Sequence, residues 1–308
     1  MPLTTAPLAG RTVHRVGYGA LQLPRLAGDR DGALALLRRA FDLGVDHVDT
    51  AEFYGDGLAN ALVRDALRPG DDVLVATKVG AEPAPDGEHR LRLAQRPEQL
   101  RASVEANLRS LGTDRLDLVN LRRAEVGPGL IATGDQVVDL DDQLAVLTDL
   151  RDAGKVAAIG LSTVTPADLR RALPAGIACV QNAYSLLDRD GEDLLDLCRA
   201  EDVAWVPYFP LGGAFPGTPK VVDAPAVRTA AQALCVSPAQ VGLAWLLAHA
   251  PTTHLIPGTA DVAHLEANLA AAAVELDAAT LATLDALAPP LAPPSGATLD
   301  PEPAAGRE

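Results

Sequence analysis

An aspartate at the end of a short apolar run, a tyrosine five residues on and a lysine ending the next apolar run can together make a proton donor. The residues are Asp49 and Tyr54 in VDHVDTAEFY (45–54) and Lys78 in DVLVATK (72–78). A phenol with a pKa of about 10 is a poor acid at neutral pH. A lysine cation beside it would stabilise the phenolate and lower that value, with Asp49 holding the lysine charged and oriented. Such a set suits delivery of a proton to a carbonyl oxygen. For any one of the three, a buried Asp–Lys pair with Tyr54 packed against it is the simpler account. Their joint placement at two successive strand ends and the turn between favours the chemistry.

The rest of the chain shows what would position them. Apolar residues recur at the helical period over 32–43, 57–67, 97–111, 139–153, 167–173, 191–201, 224–234, 238–249, 261–273 and 278–287. Between them lie short β-branched runs at 45–49, 73–78, 116–121, 156–162, 177–182, 203–208 and 254–258, preceded by RTVHRVGYGA (11–20). Gly44 and Gly112 end helices, and Pro97 opens one. Gly17 and Gly19 lack the third glycine of a dinucleotide-binding loop and read as an ordinary turn. Strict alternation requires a parallel sheet with right-handed crossovers. The pattern predicts an α/β fold, a (β/α)8 TIM barrel over 1–289, followed by a flexible Pro/Ala-rich tail at 290–308. An open doubly wound sheet has less support without a glycine fingerprint. Active residues of such a barrel sit at the carboxyl ends of its strands, where Asp49, Lys78, Arg122, Ser162, Gln181 and Tyr208 fall. The long segments 79–96, containing His89, and 122–137 would overhang that mouth.

A net charge of −15 argues against a nucleic-acid partner. Cys179, Cys198 and Cys235 form no C-x-x-C pair and read as buried thiols of a reduced, cytoplasmic protein. The start, MPLTTAPLAG, is not a secretory signal, and no run is long and apolar enough for a membrane span. The histidines show no metal-ligand spacing, so no metal is expected; His14 and His47 read as packed or capping residues.

VDHVDTAEFYG resembles the signature of the aldo-keto reductase family, and the resemblance spans nearly the whole barrel. GLSTVTPADL (160–169), VQNAYSLLDR (180–189) and VPYFPLGG (206–213) are similar to the family's segments after the fifth, sixth and seventh strands. IPGTADVAHLEANLAAA (256–272) is similar to the segment of the eighth strand that binds the adenosine phosphate. The resemblance implies an NAD(P)H-dependent reductase of a small aldehyde or ketone, holding its nicotinamide without a Rossmann domain. By position, Ser162 and Gln181 would hydrogen-bond the carboxamide, Thr163 stands where the family often has Asn, and Tyr208 would stack on the ring. Pro210, Leu211, Gly212 and Ile256 would line the cofactor, with Gly258, Thr259, His264 and Asn268 around its adenosine end. Gly258 and His264 stand where the family often has a cation for the 2′-phosphate, so NADPH is expected by family habit and NADH stays open.

The main departure is Arg122, in LDLVNLRRAE, where the family usually has a catalytic histidine. An arginine stays protonated, yet it can hydrogen-bond a carbonyl and stabilise oxyanion charge. Alternatively it pairs with Asp117 or Glu125 and leaves the site. The N-L-R pattern, with GYGALQLP and VPYFPLGG, is similar to a bacterial subgroup that includes pyridoxal reductases, so pyridoxal or another small aldehyde is the implied substrate. A catalytically weak nicotinamide-nucleotide sensor or regulatory subunit is the alternative that the missing histidine suggests. A phosphate-handling isomerase or lyase on the same barrel has less support.

Overall fold

The computed structural model describes residues 4–287 apart from 85, 87–89, 128 and 214–216. The expected tail at 290–308 and His89 lie outside the described residues. The chain opens with an antiparallel hairpin, β1 (Thr5–Leu8) against β2 (Arg11–His14). Parallel strands follow: β3 (Tyr18–Gly19), β4 (His47–Asp49) and β5 (Leu74–Val79). A second hairpin, β6 (Ala81–Pro83) with β7 (Leu91–Leu93), rises from the loop after β5. The parallel sheet continues through β8 (Leu116–Arg122), β9 (Val156–Ser162), β10 (Ile177–Gln181) and β11 (Ala204–Trp205).

The segment 252–257 closes this sheet by bonding to both edges. On one side Gly17 N donates to Leu255 O at 2.8 Å and Leu255 N to Arg15 O at 2.7 Å; on the other Trp205 N donates to Thr252 O at 3.0 Å and His254 N to Trp205 O at 2.8 Å. That segment is the eighth strand of a (β/α)8 barrel. Pro257 has no N–H to give, and its carbonyl accepts the last bond of the segment, from Gly19 N at 3.4 Å. The outer layer is α1 (Arg30–Asp42), α2 (Leu58–Ala66), α3 (Pro97–Leu111), α4 (Leu140–Asp152), α5 (Pro166–Ala172), α6 (Glu192–Ala200), α7 (Pro225–Leu234), α8 (Pro238–His249), α9 (Val262–Ala270) and α10 (Ala278–Asp285). Capping boxes at Thr165/Asp168 and Ser237/Gln240 start α5 and α8.

Three local expectations change. The run 11–20 is two elements, because a turn with Ala9 at φ +50° and Gly10 at φ +75° folds 11–14 back on 5–8 before the barrel begins. Leu8 and Val13 of that hairpin pack on Leu74, Leu118 and Val206, plugging the amino-terminal end of the barrel. The expected strand 203–208 regularly covers Ala204–Trp205, and the chain rejoins the sheet through a bridge from Tyr208 to Ala183. Cys179 and Cys198 are buried, but Cys235 ends α7 in the left-handed conformation and is exposed.

The barrel floor carries a buried histidine pair. His254 is fully buried, 5.8 Å from His47 in an edge-to-face contact. Burial, reinforced by His47, lowers its pKa from 6.5 to about 4. The unfolded chain therefore binds a proton there before the folded one does. Stability from this group is complete above pH 6.5 and falls as pH drops toward 4, by about 3 kcal/mol in all. Denaturant titrations between pH 7 and 4 are expected to show a decline steeper by about that amount in wild type than in His254→Gln.

Candidate active site

Parallel register brings the strand-end residues to one rim, since Asp49 is level with Gly19 and Ala76, Lys78 with Asn120, and Ser162 with both Arg122 and Gln181. Lys78 and Asp49 are buried and form an ion pair; the ammonium also donates to Thr50 O at 3.1 Å. The second carboxylate oxygen of Asp49 accepts from Gln181 Nε2 at 2.7 Å. Tyr54 is carried over this pair by the turn after β4, with Lys78 Nζ 5.0 Å from its ring centroid and Phe53 edge-on at 5.2 Å.

Burial lowers the Lys78 ammonium, but the charge of Asp49 and the phenol of Tyr54 more than offset it, and the net shift is upward. Tyr54 corrects the sequence-based expectation. Burial, together with the charge of Asp49, raises its phenol by more than Lys78 and Arg122 lower it, so the net shift is up rather than down. Tyr54 thus keeps its proton at neutral pH, the form a proton donor needs.

Two residues not singled out from the sequence hold the Asp49–Tyr54 turn. Asn60 of α2 accepts from Thr50 Oγ1 at 2.8 Å, donates to Glu52 Oε2 at 2.8 Å and reaches Asn107 of α3 at 2.9 Å. Asn107 also accepts from Thr77 Oγ1, next to Lys78, at 2.5 Å. Both asparagines are fully buried, Asn60 on an otherwise apolar stripe of α2 and Asn107 on a stripe of α3 whose other buried residues are apolar apart from Ser103. That signal, a polar residue at a core position, was present in the sequence.

Arg122 stays at the rim. The expected alternative partners are engaged elsewhere: Glu125 pairs with Arg123, and Asp117 accepts from Val75 N at 3.0 Å. Gln95 secures the strand end through Gly80 O at 2.5 Å and Arg122 O at 2.9 Å. Arg122 Nη1 is inaccessible and has no hydrogen-bond partner among the described residues. Ser162, Thr163 and Gln181 are buried beside it, and Gln181 Oε1 is a second buried atom without a partner. Thr163 holds φ +59°, donates its N–H to Gln181 O at 2.9 Å and lies 3.2 Å from the Tyr208 hydroxyl through Oγ1. Tyr208, Pro210, Leu211 and Gly212 form a half-buried wall, with Val221 N donating to Leu211 O at 2.9 Å.

Farther along the rim lies a cavity of about 340 Å³ lined by Gln22, Arg25, Gly258, Thr259, Ala260, Asp261 and His264. A side chain at Gly258 would meet Gly19 O at 2.7 Å, so the glycine lets two backbones approach. Ile256 and Asn268 are half-buried and lie off this cavity's lining. Arg25 is the residue missed here, exposed on a 3-10 turn (Ala20–Leu26) that has no readable periodicity. Buried acceptor, glycine approach and cation-bearing cavity, ranged along one rim, fit a long dinucleotide. Among the described residues no cluster of His, Cys, Asp or Glu could hold a metal ion, and no single helix is long and apolar enough to cross a membrane.

A barrel with this rim is the scaffold of a carbonyl oxidoreductase. The model of the Aldo/keto reductase family matches residues 15–289, and the chain belongs to that family. It is 40% identical over 294 residues to pyridoxine 4-dehydrogenase of Escherichia coli (strain K12), covering 93% of this chain and 99% of that one. It is 33% identical to methylglyoxal reductase of the same organism, covering 92% and 94%. Among solved structures it is similar to an aldo-keto reductase from Klebsiella pneumoniae in complex with NADPH, with TM-score 0.78, 27% identity and coverage of 97% and 99%. It is also similar to an aldo/keto reductase from that organism in complex with NADP and acetate, with TM-score 0.76, 28% identity and coverage of 96% and 98%.

Proposed function

We propose that residues 1–289 form one catalytic unit that reduces an aldehyde or ketone to the alcohol with NADPH, Tyr54 supplying the proton. The observation that carries this is the Tyr54 ring held over the buried Lys78–Asp49 pair. Ser162, Thr163, Gln181 and Tyr208 would hold a reduced nicotinamide, which would supply the hydride. Gln181 offers its free Oε1 to the carboxamide while its Nε2 is tied to Asp49, which couples cofactor position to the ion pair. Tyr54 gives its O–H proton to the carbonyl oxygen as negative charge develops there, and the Lys78 cation stabilises the phenolate left behind. Arg122 donates a hydrogen bond to the same oxygen and polarises it. The 40% identical relative supports pyridoxal, or another small aldehyde, as substrate. Three free cysteines fit a reducing compartment, and we place the protein in the cytoplasm.

Two solved relatives in complex with NADPH or NADP support the phosphorylated cofactor. Arg25 supplies a cation to the cavity lined by Thr259, Asp261 and His264. Arg25→Ala is expected to weaken NADPH binding roughly fivefold and NADH binding hardly at all, as calorimetry would read.

The replacement of histidine by Arg122 favours one second reading, a nucleotide sensor with weak turnover. Nicotinamide absorbance with NADPH and NADH against pyridoxal, small aromatic aldehydes and α-dicarbonyls separates the two. Steady oxidation of NADPH with an aldehyde is expected; tight NADPH binding without turnover across the panel would select the sensor.

A further inference from the structure

The charges at the rim do not balance. Lys78 is matched by Asp49, but Arg122 makes no ion pair among the described residues, and its Nη1 is closed to water without a partner. The nearest carboxylates in sequence are spent on Arg123 and on the Val75 backbone. The groups acting electrostatically on Arg122 are the phenols of Tyr208 and Tyr54, which burial keeps in their neutral forms. A largely buried cation without a counter-charge is costly to the folded protein, and an anion that pairs with it recovers that cost on binding.

We propose that the substrate brings the missing charge: a carbonyl compound with an ionised oxygen next to the carbonyl, as in an α-keto acid or an ortho-hydroxy aldehyde. This rests on the reading that the Tyr54 site reduces carbonyls. In such a compound the carbonyl oxygen and the ionised oxygen lie side by side, much like the two oxygens of a carboxylate. A planar guanidinium receives that pair with two parallel N–H groups, here on the edge formed by Nε and Nη2, since Nη1 is enclosed. One donor then serves the oxygen that Tyr54 protonates, and the other holds the neighbouring anion and fixes which face meets the hydride. A neutral carbonyl engages one arm and leaves the charge unmet.

The first test is binding by calorimetry in saturating NADP⁺, comparing benzoate with its neutral analogue benzamide. Wild type is expected to prefer benzoate by about 10- to 100-fold, and Arg122→Met to bring the two within about twofold. The second is turnover of 5-nitrosalicylaldehyde against its isomer 4-hydroxy-3-nitrobenzaldehyde, with the alcohol quantified by chromatography. Both isomers are anionic at neutral pH, so they differ in where the charge lies. Wild type is expected to favour the ortho isomer about tenfold, mainly in KM. Arg122→Lys is expected to keep the benzoate preference while losing the ortho preference, because it retains charge without the fork. Equal binding of benzoate and benzamide, equal use of the isomers, or preferences that survive Arg122→Met would overturn the proposal. Should wild type reduce no aldehyde at all, the reductase reading fails, and the benzoate comparison still decides the charge question.

Discussion

Replacing Tyr54 with Phe is expected to lower kcat for carbonyl reduction by about 100- to 10,000-fold, the range for loss of a positioned general acid. NADPH affinity should stay within about twofold, because the removed hydroxyl is assigned to the carbonyl and not to the nucleotide. The fold should also hold. Tyr54 is half-buried, its ring packs against Phe53 and its backbone N–H is held by Ala51 O at 3.0 Å, none of which needs the hydroxyl. A variant that reduces its substrate at the wild-type rate would remove Tyr54 from the chemistry and leave it a packing residue.

The second large effect separates stability from catalysis. Lys78→Met leaves the Asp49 carboxylate buried, with Gln181 Nε2 as its remaining side-chain donor. Breaking a buried pair from one side costs about 3–5 kcal/mol, because the surviving charge has no counter-charge. Adding Asp49→Asn removes that charge, and the double variant should regain most of the lost stability in denaturant titrations. Reduction should not return with it, since the Lys78 cation that offsets most of the charge on the Tyr54 phenolate is gone. A double variant that recovered activity along with stability would make the pair a structural element only.

What could be read from the sequence tracks how local the determining physics is. Alternating strand and helix periods, with Gly44 and Gly112 ending helices, were enough to predict the barrel, including the closing strand that pairs with both sheet edges. The strand-end positions of Asp49, Lys78, Arg122, Ser162 and Gln181 follow from the same alternation, which in a parallel barrel sends every strand end to one rim. The 5–14 hairpin was misread because its turn needs a positive φ at Ala9, which residue type does not announce. The fate of Arg122 and Arg123 turned on alternation along the strand, where successive side chains point to opposite faces. Arg123 meets Glu125 and Gln143, and Arg122 is left without such a partner. The direction of the Tyr54 shift was missed for a different reason. Sequence shows which charges could be near, but not how much water has been excluded. Arg25 joins the far cavity by tertiary approach alone, from a turn without periodicity.

The most direct measurement is isotope transfer. NADPH carrying deuterium at C4 on the transferring face is incubated with pyridoxal and the purified protein, and the alcohol is analysed by mass spectrometry. One deuterium at the carbinol carbon in wild type, with the labelled alcohol formed about 100- to 10,000-fold more slowly by Tyr54→Phe, is the predicted result. NADPH bound tightly but with no deuterium in the alcohol, for pyridoxal and for the aldehyde panel alike, would contradict the account.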